Sequence, residues 1–128
     1  MTQNEKDILL KDLCARLPYG VKVEYNGEKY KISNVSICNE TVTIYGERGY
    51  PMEVEIKKVK PYLFPLSSMT EEQKREFDIS MDMGYAAAYN AEINCANRMI
   101  DFFNKHHLDY RGLIPMGLAI DATGLNIY

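Results

Sequence analysis

An Asn-Gly pair at residues 26 and 27 limits what this chain can fold into more than any other feature of its sequence. It separates two runs of alternating apolar and polar residues, 21–25 and 28–33. Both positions of a two-residue hairpin turn need positive φ angles, which Asn and Gly tolerate, so the pair predicts a β-hairpin. The register pairs Tyr25 with Glu28, Val23 with Tyr30 and Val21 with Ile32, with the apolar side chains on one face. Charged residues of alternating sign lie on the other face, which is typical of a solvated surface: Lys22, Glu24, Lys29 and Lys31.

Two further alternating runs extend this hairpin into a small antiparallel sheet. Residues 41–45 are β-branched at successive positions, and Met52, Val54 and Ile56 alternate with polar residues. We expect an SH3-like or curled sheet over about residues 21–60. The segment 61–66, bounded by prolines, should leave the sheet as a buried strap.

Helical patterns flank the sheet. Leu9, Leu13 and Leu17 form an apolar stripe that predicts an N-terminal helix over about 4–17. The polar face of this helix consists of Asp7, Lys11, Asp12 and Arg16. Residues 70–73 (TEEQ) match a capping box and predict a helix over about 70–83, ended by Gly84. A second helix, about 85–106, is predicted by a core stripe: Tyr85, Tyr89, Ile93, Ala96, Ile100 and Phe103.

The fold class is therefore α+β, a single domain over residues 1–128, since one core suits this length. The apolar tail 107–128 should dock on the body or on a partner chain.

Charge and cysteine content exclude several functions. A net charge of -3 and a pI near 5.4 give no global field that attracts phosphates, so a nucleic-acid partner is not expected. The polar N-terminus is unlike a signal peptide, and no apolar run reaches the roughly 18 residues of a membrane span, so we expect a cytoplasmic protein with no membrane partner. Cys14, Cys38 and Cys95 form no metal-binding pair and should be small buried hydrophobes.

The candidate site lies in residues 106–112 (HHLDYRG), and its candidate residues are His107, Asp109, Tyr110 and Arg111. One interpretation is structural: the histidines cap a helix end, and Arg111 pairs internally with Asp109 or Asp121. The other is a polar site in which Arg111 binds a carboxylate or phosphate and Tyr110 stacks on the ligand. No metal is expected, because His-His-x-Asp lacks the spacing of zinc ligands.

A basic cluster at Lys57, Lys58 and Lys60 adds candidate contacts for an anionic ligand or an acidic partner. Lysines at such a strand end also commonly protect a sheet edge.

Three blocks carry a family resemblance: residues 13–21 (LCARLPYGV), 60–70 (KPYLFPLSSMT) and 104–121 (NKHHLDYRGLIPMGLAID). They resemble a family of small uncharacterised proteins encoded in phages and mobile elements of gut Bacteroides-type bacteria. The resemblance implies an accessory phage or mobile-element protein in the bacterial cytoplasm, and it supplies no catalytic residue.

We therefore expect a non-enzymatic binding or interaction protein, without a cofactor, that modulates a host process such as a defence system. The expected partner is a host or phage protein, and a homo-oligomer is compatible with the sequence. One alternative is a protein that binds or sequesters a small anionic ligand, such as a nucleotide, through Tyr110, Arg111 and the lysines at 57–60. The other is a nucleic-acid binder through the sheet, against which the acidic balance counts.

Overall fold

A sheet of six strands organises the described part of the chain. The computed structural model describes the backbone of residues 1–86 and 91–128 and the side chains of residues 1–79 and 96–128. The helices are α1 (Gln3–Arg16), α2 (Glu71–Ala86) and α3 (Ala91–Lys105). The strands are β1 (Lys22–Tyr25), β2 (Glu28–Ser36), β3 (Thr41–Tyr45), β4 (Pro51–Glu55), β5 (Lys60–Leu63) and β6 (Ile120–Asp121). Short 3-10 turns cover Leu17–Tyr19, Ile56–Lys58 and Leu66–Ser68.

The strands follow the order β4-β3-β2-β1-β5-β6, and only β5 and β6 pair in parallel. The predicted register of the first hairpin is confirmed, with Tyr25 opposite Glu28 and Val23 opposite Tyr30. Asn26 adopts a φ of 50°, as the tight turn requires. The α+β class is confirmed, and the sheet is open, so a closed SH3-like barrel does not form.

Helix α1 packs on the sheet through leucines that are fully buried. Thr2 starts the helix with a capping box: its hydroxyl accepts from the Glu5 amide at 3.1 Å, and its own amide donates to the Glu5 carboxylate at 3.0 Å. Leu9 and Leu13 then enter the core. That core joins α1 to the sheet and to the segment after α3, and its most buried members include Val21, Val23, Val42, Ile44, Leu63 and Leu113.

The predicted strap at 61–66 is instead a strand over its first residues. β5 pairs with β1, with Pro61 opposite Val23, and it accepts β6 on its other side. Prolines are tolerated at the start of a strand, which is where Pro61 lies. The predicted burial is confirmed for residues 61–63. The strand was missed because its pairing partners lie about 40 positions earlier and 60 positions later, which no local pattern shows.

The tail docks on the body, as expected. The Tyr128 hydroxyl donates to the Tyr62 carbonyl at 2.8 Å and accepts from the Lys22 amide at 3.0 Å. It therefore bridges β1 and β5 just beyond the last residues that pair between these two strands. The Lys22 ammonium also donates to the Ile127 carbonyl at 2.8 Å. Burial raises the pKa of Tyr128 to about 12, so the phenol stays protonated and able to donate.

Helices α2 and α3 pack together through aromatic side chains. The predicted capping box is confirmed, because Thr70 and Gln73 exchange side-chain to backbone hydrogen bonds of 3.0 and 3.1 Å. The Phe77 ring meets Phe102 edge-on, at 5.3 Å between centroids. The predicted break at Gly84 is wrong, because α2 continues to Ala86; a single helical glycine costs only about 1 kcal/mol.

The core stripe predicted for α3 is wrong at two positions and outside the described side chains at three. Ala96 and Ile100 are exposed, the predicted member Phe103 is half-buried, and the buried residues of this stretch are Phe102 and Asn104. The predicted core positions at 85, 89 and 93 lie outside the described side chains. The face of α3 that is buried is set by its packing on Phe77, which the spacing of apolar residues did not show.

The prediction of buried cysteines is also wrong where the structure tests it. Cys14 lies on the solvent side of α1, and Cys38 lies in the turn between β2 and β3, so both thiols are exposed and unpaired. The Cys95 side chain lies outside the described residues. Among the helices in the described ranges, none is long and apolar enough to cross a membrane.

Candidate functional site

The segment 106–112 is an internal joint between α3 and the sheet. His107 has a left-handed backbone (φ 58°), and its carbonyl accepts from the Phe64 amide at 2.8 Å. Its ring stacks on Tyr128 with 3.6 Å between centroids and 10° between planes. Burial, followed by the positive charges of Arg16, His106 and Lys22, lowers the pKa of His107 to about 4. His107 is therefore a neutral, buried ring at neutral pH.

Asp109 is buried and has a structural role. Its two carboxylate oxygens accept from the backbone amides of Leu113 at 2.8 Å and Ile114 at 2.9 Å. Its own amide donates to the Phe64 carbonyl at 2.8 Å. The carboxylate thus holds the turn that brings Leu113 into the core, and both oxygens are occupied.

Arg111 pairs with an aspartate that the sequence did not indicate. Its Nε lies 3.3 Å from Oδ1 of Asp12, not near the expected Asp109 or Asp121. The other Asp12 oxygen accepts from Nε of Arg16 at 2.8 Å, and Nη2 of Arg16 donates to the Leu108 carbonyl at 2.7 Å. Asp12 and Arg16 were expected on the solvated face of α1, but both side chains are 0% exposed.

The Tyr110 ring lies against these charges. The guanidinium carbons of Arg16 and Arg111 each lie 5.1 Å from its centroid, and its hydroxyl donates to Oδ1 of Asn104 at 3.0 Å. Cations at this distance from an aromatic face are attracted to it. Tyr110 and Arg111 contact each other, whereas His107 packs on Tyr128 and Asp109 binds the amides of Leu113 and Ile114. These contacts favour the structural interpretation.

The lysines predicted to contact an anion, at positions 57, 58 and 60, are exposed, and they do not line one cavity together in the part of the chain that the structure describes. Lys57 pairs with Glu55 at 3.2 Å and borders a cavity of about 190 Å³ that also contains Glu40 and Glu55. Carboxylates there would repel an anion. Lys60 lies opposite Glu24 in the β1–β5 ladder.

A different set of lysines borders a larger cavity. We name it the sheet groove, and its first arm of about 400 Å³ is lined by Lys22, Lys29, Tyr30, Lys31, Tyr45, Gly46, Glu47 and Gly49. The strand register produces this row, because Lys22 lies opposite Lys31 and Lys31 lies opposite Tyr45. Like charges directly opposite on a sheet repel each other.

The Lys22 ammonium shows the effect of this crowding. Its pKa is lowered, first by burial and then by the charges of Lys29 and Lys31. Among the ion pairs of the described residues, none includes Lys22, Lys29 or Lys31. A bound anion would relieve the repulsion, since an opposite charge within a few ångströms favours the charged form of each lysine.

The second arm of the sheet groove passes over the β3–β4 loop. Its volume is about 680 Å³, and it shares Lys29, Tyr30, Gly46, Glu47 and Gly49 with the first arm while adding Glu28, Arg48 and Tyr50. The Tyr30 hydroxyl donates to Glu28 at 3.1 Å, which raises the pKa of Tyr30. A Cβ added at Gly46 would meet the Tyr30 ring at 3.4 Å, so glycine lets the loop approach this ring closely.

The groove residues were visible in the sequence but were interpreted as a solvated face. The signal that could have found them is the hairpin register itself, which pairs Lys22 with Lys31 without a carboxylate between them. Tyr45 joins them through the β2–β3 register, and Tyr50 joins them through the β3–β4 loop, which has no local sequence pattern that indicates a site.

Comparisons with family models, with curated proteins and with solved structures find no match. Among the residues that the structure describes, no group of three or more His, Cys, Asp or Glu side chains is placed to hold a metal ion. Geometry and charge are therefore the grounds for assigning a function.

Proposed function

We propose that this protein is a non-enzymatic binding protein that holds a small anionic ligand in the sheet groove. The observation that carries the proposal is that three lysines, Lys22, Lys29 and Lys31, line one cavity and have no ion-pair partner among the described residues. The Lys22 ammonium donates to the uncharged Ile127 carbonyl. Charged and polar groups that converge in a concavity are typical of ligand sites.

The size of the groove favours a small ligand over the host or phage protein expected first. Its arms of about 400 and 680 Å³ fall within the roughly 300 to 1,000 Å³ usual for small-molecule sites. Tyr110 and Arg111, which were expected to contact a small anionic ligand or a partner, are engaged with Asp12, Arg16 and Asn104 instead, so the proposal does not rest on them.

Binding without turnover is supported by the residues that line the groove. They are lysine, arginine, tyrosine, glutamate and glycine, with no histidine or cysteine among the lining residues of either arm. Lysine and arginine supply charge and donors to an anion, while a placed nucleophile with its own base would be the mark of catalysis.

The biological setting remains the one that the sequence resemblance implies, an accessory protein of a phage or mobile element. A protein of this kind that retains a small anion would modulate a host process by sequestering a signal or metabolite, and a defence system is one such process. The neighbouring genes test this setting: genes of phage structure or mobilisation beside this one support it, and a conserved housekeeping operon would contradict it.

Isothermal titration with tripolyphosphate tests the ligand proposal. The double variant Lys29→Ala/Lys31→Ala should weaken binding by about a hundredfold or more, since each charged contact contributes roughly 1.5 to 3 kcal/mol and about 1.4 kcal/mol is tenfold in affinity. The matched control is Lys57→Ala/Lys58→Ala, which removes the same charge from exposed lysines outside the groove. Equal weakening in both variants, or no binding at millimolar tripolyphosphate in low salt, would overturn the proposal.

A further inference from the structure

We propose that the ligand of the sheet groove is a nucleoside phosphate whose base carries an exocyclic amine, with its phosphates on the lysine arm and its base beside Tyr50. This inference rests on the proposed function and names the chemical class of the ligand. It follows from the distribution of charge, the position of one exposed aromatic side chain, and the way the groove ends.

Charge is divided unequally between the two arms. The lysine arm has three cations, Lys22, Lys29 and Lys31, against one carboxylate, Glu47. The other arm balances Lys29 and Arg48 against Glu28 and Glu47. A ligand that fits both arms therefore has a strongly anionic end and an uncharged, polar end.

The carboxylates of the second arm indicate what the uncharged end is. A carboxylate accepts hydrogen bonds and donates none when it is ionised, so Glu28 and Glu47 favour a ligand with N–H donors. Adenine, guanine and cytosine each carry an exocyclic amine, and uracil carries a carbonyl oxygen in the corresponding place. Proteins use carboxylates on cytosine amines in this way.

Tyr50 supplies a surface for such a base. Its side chain lies in the loop that borders the second arm and is 81% exposed, although tyrosine is usually at least half-buried in a folded protein. An exposed aromatic face beside cations is the usual stacking platform for nucleic-acid bases. Tyr30, which is among the lining residues of both arms, is fixed by its edge-on contact with Tyr25 at 6.0 Å.

The lysine arm is bounded where the tail crosses the sheet. The Lys22 ammonium donates to the Ile127 carbonyl and lies 5.5 Å from the Tyr128 ring centroid. The chain thus lies directly beside the most buried of the three lysines. A ligand with a terminal phosphate group suits this arrangement better than a polymer that must continue past it.

Cytidine triphosphate, uridine triphosphate and tripolyphosphate form the set of probes that tests this inference by calorimetry at one ionic strength. The two nucleotides have rings of one size and differ at the amine, while tripolyphosphate lacks the base. We expect cytidine triphosphate to bind about tenfold more tightly than tripolyphosphate, because the stacking of one base contributes about that much affinity. We expect it to bind severalfold more tightly than uridine triphosphate.

Two variants assign these differences to residues. Tyr50→Ala should remove the advantage of the nucleotide over tripolyphosphate, and Tyr50→Phe should keep it, because the stacking face remains. Glu47→Gln should reduce the preference for cytidine over uridine and leave tripolyphosphate binding equal or stronger.

The results separate this inference from the function on which it rests. If tripolyphosphate binds and depends on Lys29 and Lys31, but nucleotides bind no more tightly and Tyr50→Ala changes nothing, the inference is wrong and the anion site stands. If none of the three probes binds, both are wrong.

Discussion

Replacement of Arg16 by methionine should destabilise this protein more than any other substitution of a charged residue on α1. The guanidinium is 0% exposed, lies 2.8 Å from the Asp12 carboxylate, and donates to the Leu108 carbonyl at 2.7 Å. Methionine fills much of the same volume, so the loss is electrostatic and not a cavity. The variant leaves Asp12 buried without its Arg16 partner, and the Leu108 carbonyl keeps only the Tyr110 amide as a donor.

The expected magnitude is about 3 kcal/mol of unfolding free energy. Removing one member of a buried ion pair typically costs about 3 to 5 kcal/mol, because the remaining charge is uncompensated. Arg111 stays 3.3 Å from the other Asp12 oxygen and should offset part of this, which places the value at the lower end. Domains have a total stability of roughly 5 to 15 kcal/mol, so the variant should fold but unfold at much lower urea concentration.

Urea titration followed by far-UV circular dichroism measures the change. Lys11→Met is the matched control, because it removes a positive charge from an exposed position on the same helix and should stay within about 0.5 kcal/mol of the parent. The double variant Asp12→Leu/Arg16→Met should recover part of the loss, since an apolar pair can replace a buried ion pair at little cost. If Arg16→Met changes stability no more than Lys11→Met does, the buried pair does not stabilise this joint.

Three other changes address the same region. Tyr128→Phe removes the hydroxyl that bridges β1 and β5 and should lower stability by about 1 kcal/mol in the same titration, because one amide and one carbonyl lose a partner. The pKa of His107 lies near 4 in the folded protein and near 6.5 in the unfolded chain. The unfolded chain therefore binds more protons between these values, and stability should fall as pH is lowered from about 6.5 to 4, by roughly 3 kcal/mol at most. His107→Asn, which tolerates the left-handed backbone, should flatten this part of the stability curve measured against pH. Asp109→Ala should cost about 2 kcal/mol by thermal unfolding, as expected when a carboxylate that caps two amides is lost.

Matched controls exist for two of these changes. Tyr50→Phe alters a tyrosine that is 81% exposed and should leave stability unchanged. Asp78→Ala removes a carboxylate from an exposed position on α2 and should do the same. A parent stability that stays constant between pH 6.5 and 4 would contradict the account of His107 as a buried neutral ring.

The parts of the fold that could be predicted from sequence are those fixed by local geometry. The Asn26-Gly27 turn sets the register of β1 and β2, and the Thr70 capping box sets the start of α2; both follow from backbone donors and φ angles within a few residues. The same reasoning could have found the capping box at Thr2, where the sequence has the same pattern.

The parts that could not be predicted depend on contacts between distant residues. Asp12 and Arg16 have the spacing of an ordinary surface pair on a helix, but they are buried against residues far along the chain: Leu108, which is 92 positions after Arg16, Tyr110 and Arg111. The partners that Tyr110 and Arg111 find on α1 were not visible in the sequence, so a structural joint resembled a binding site. The lysines of the sheet groove were predicted to lie on a solvated face, and Lys29 and Lys31 are indeed exposed; their role in ligand binding is our proposal.

The Tyr128 hydroxyl bridges β1 and β5, and its hydrogen bond with the Lys22 amide joins residues 106 positions apart in the sequence. A local hairpin closes a loop of a few residues, whereas this contact closes a loop of most of the chain. Contacts between distant residues cost more chain entropy to form, so they form late in folding. The first three strands should therefore assemble before β5 and β6 are fixed, and the junction of β1 with β5 should be the last part of the sheet to become protected from hydrogen exchange. In the native state the same junction should open first, which makes the Lys22 end of the groove the part of the site with the shortest-lived structure.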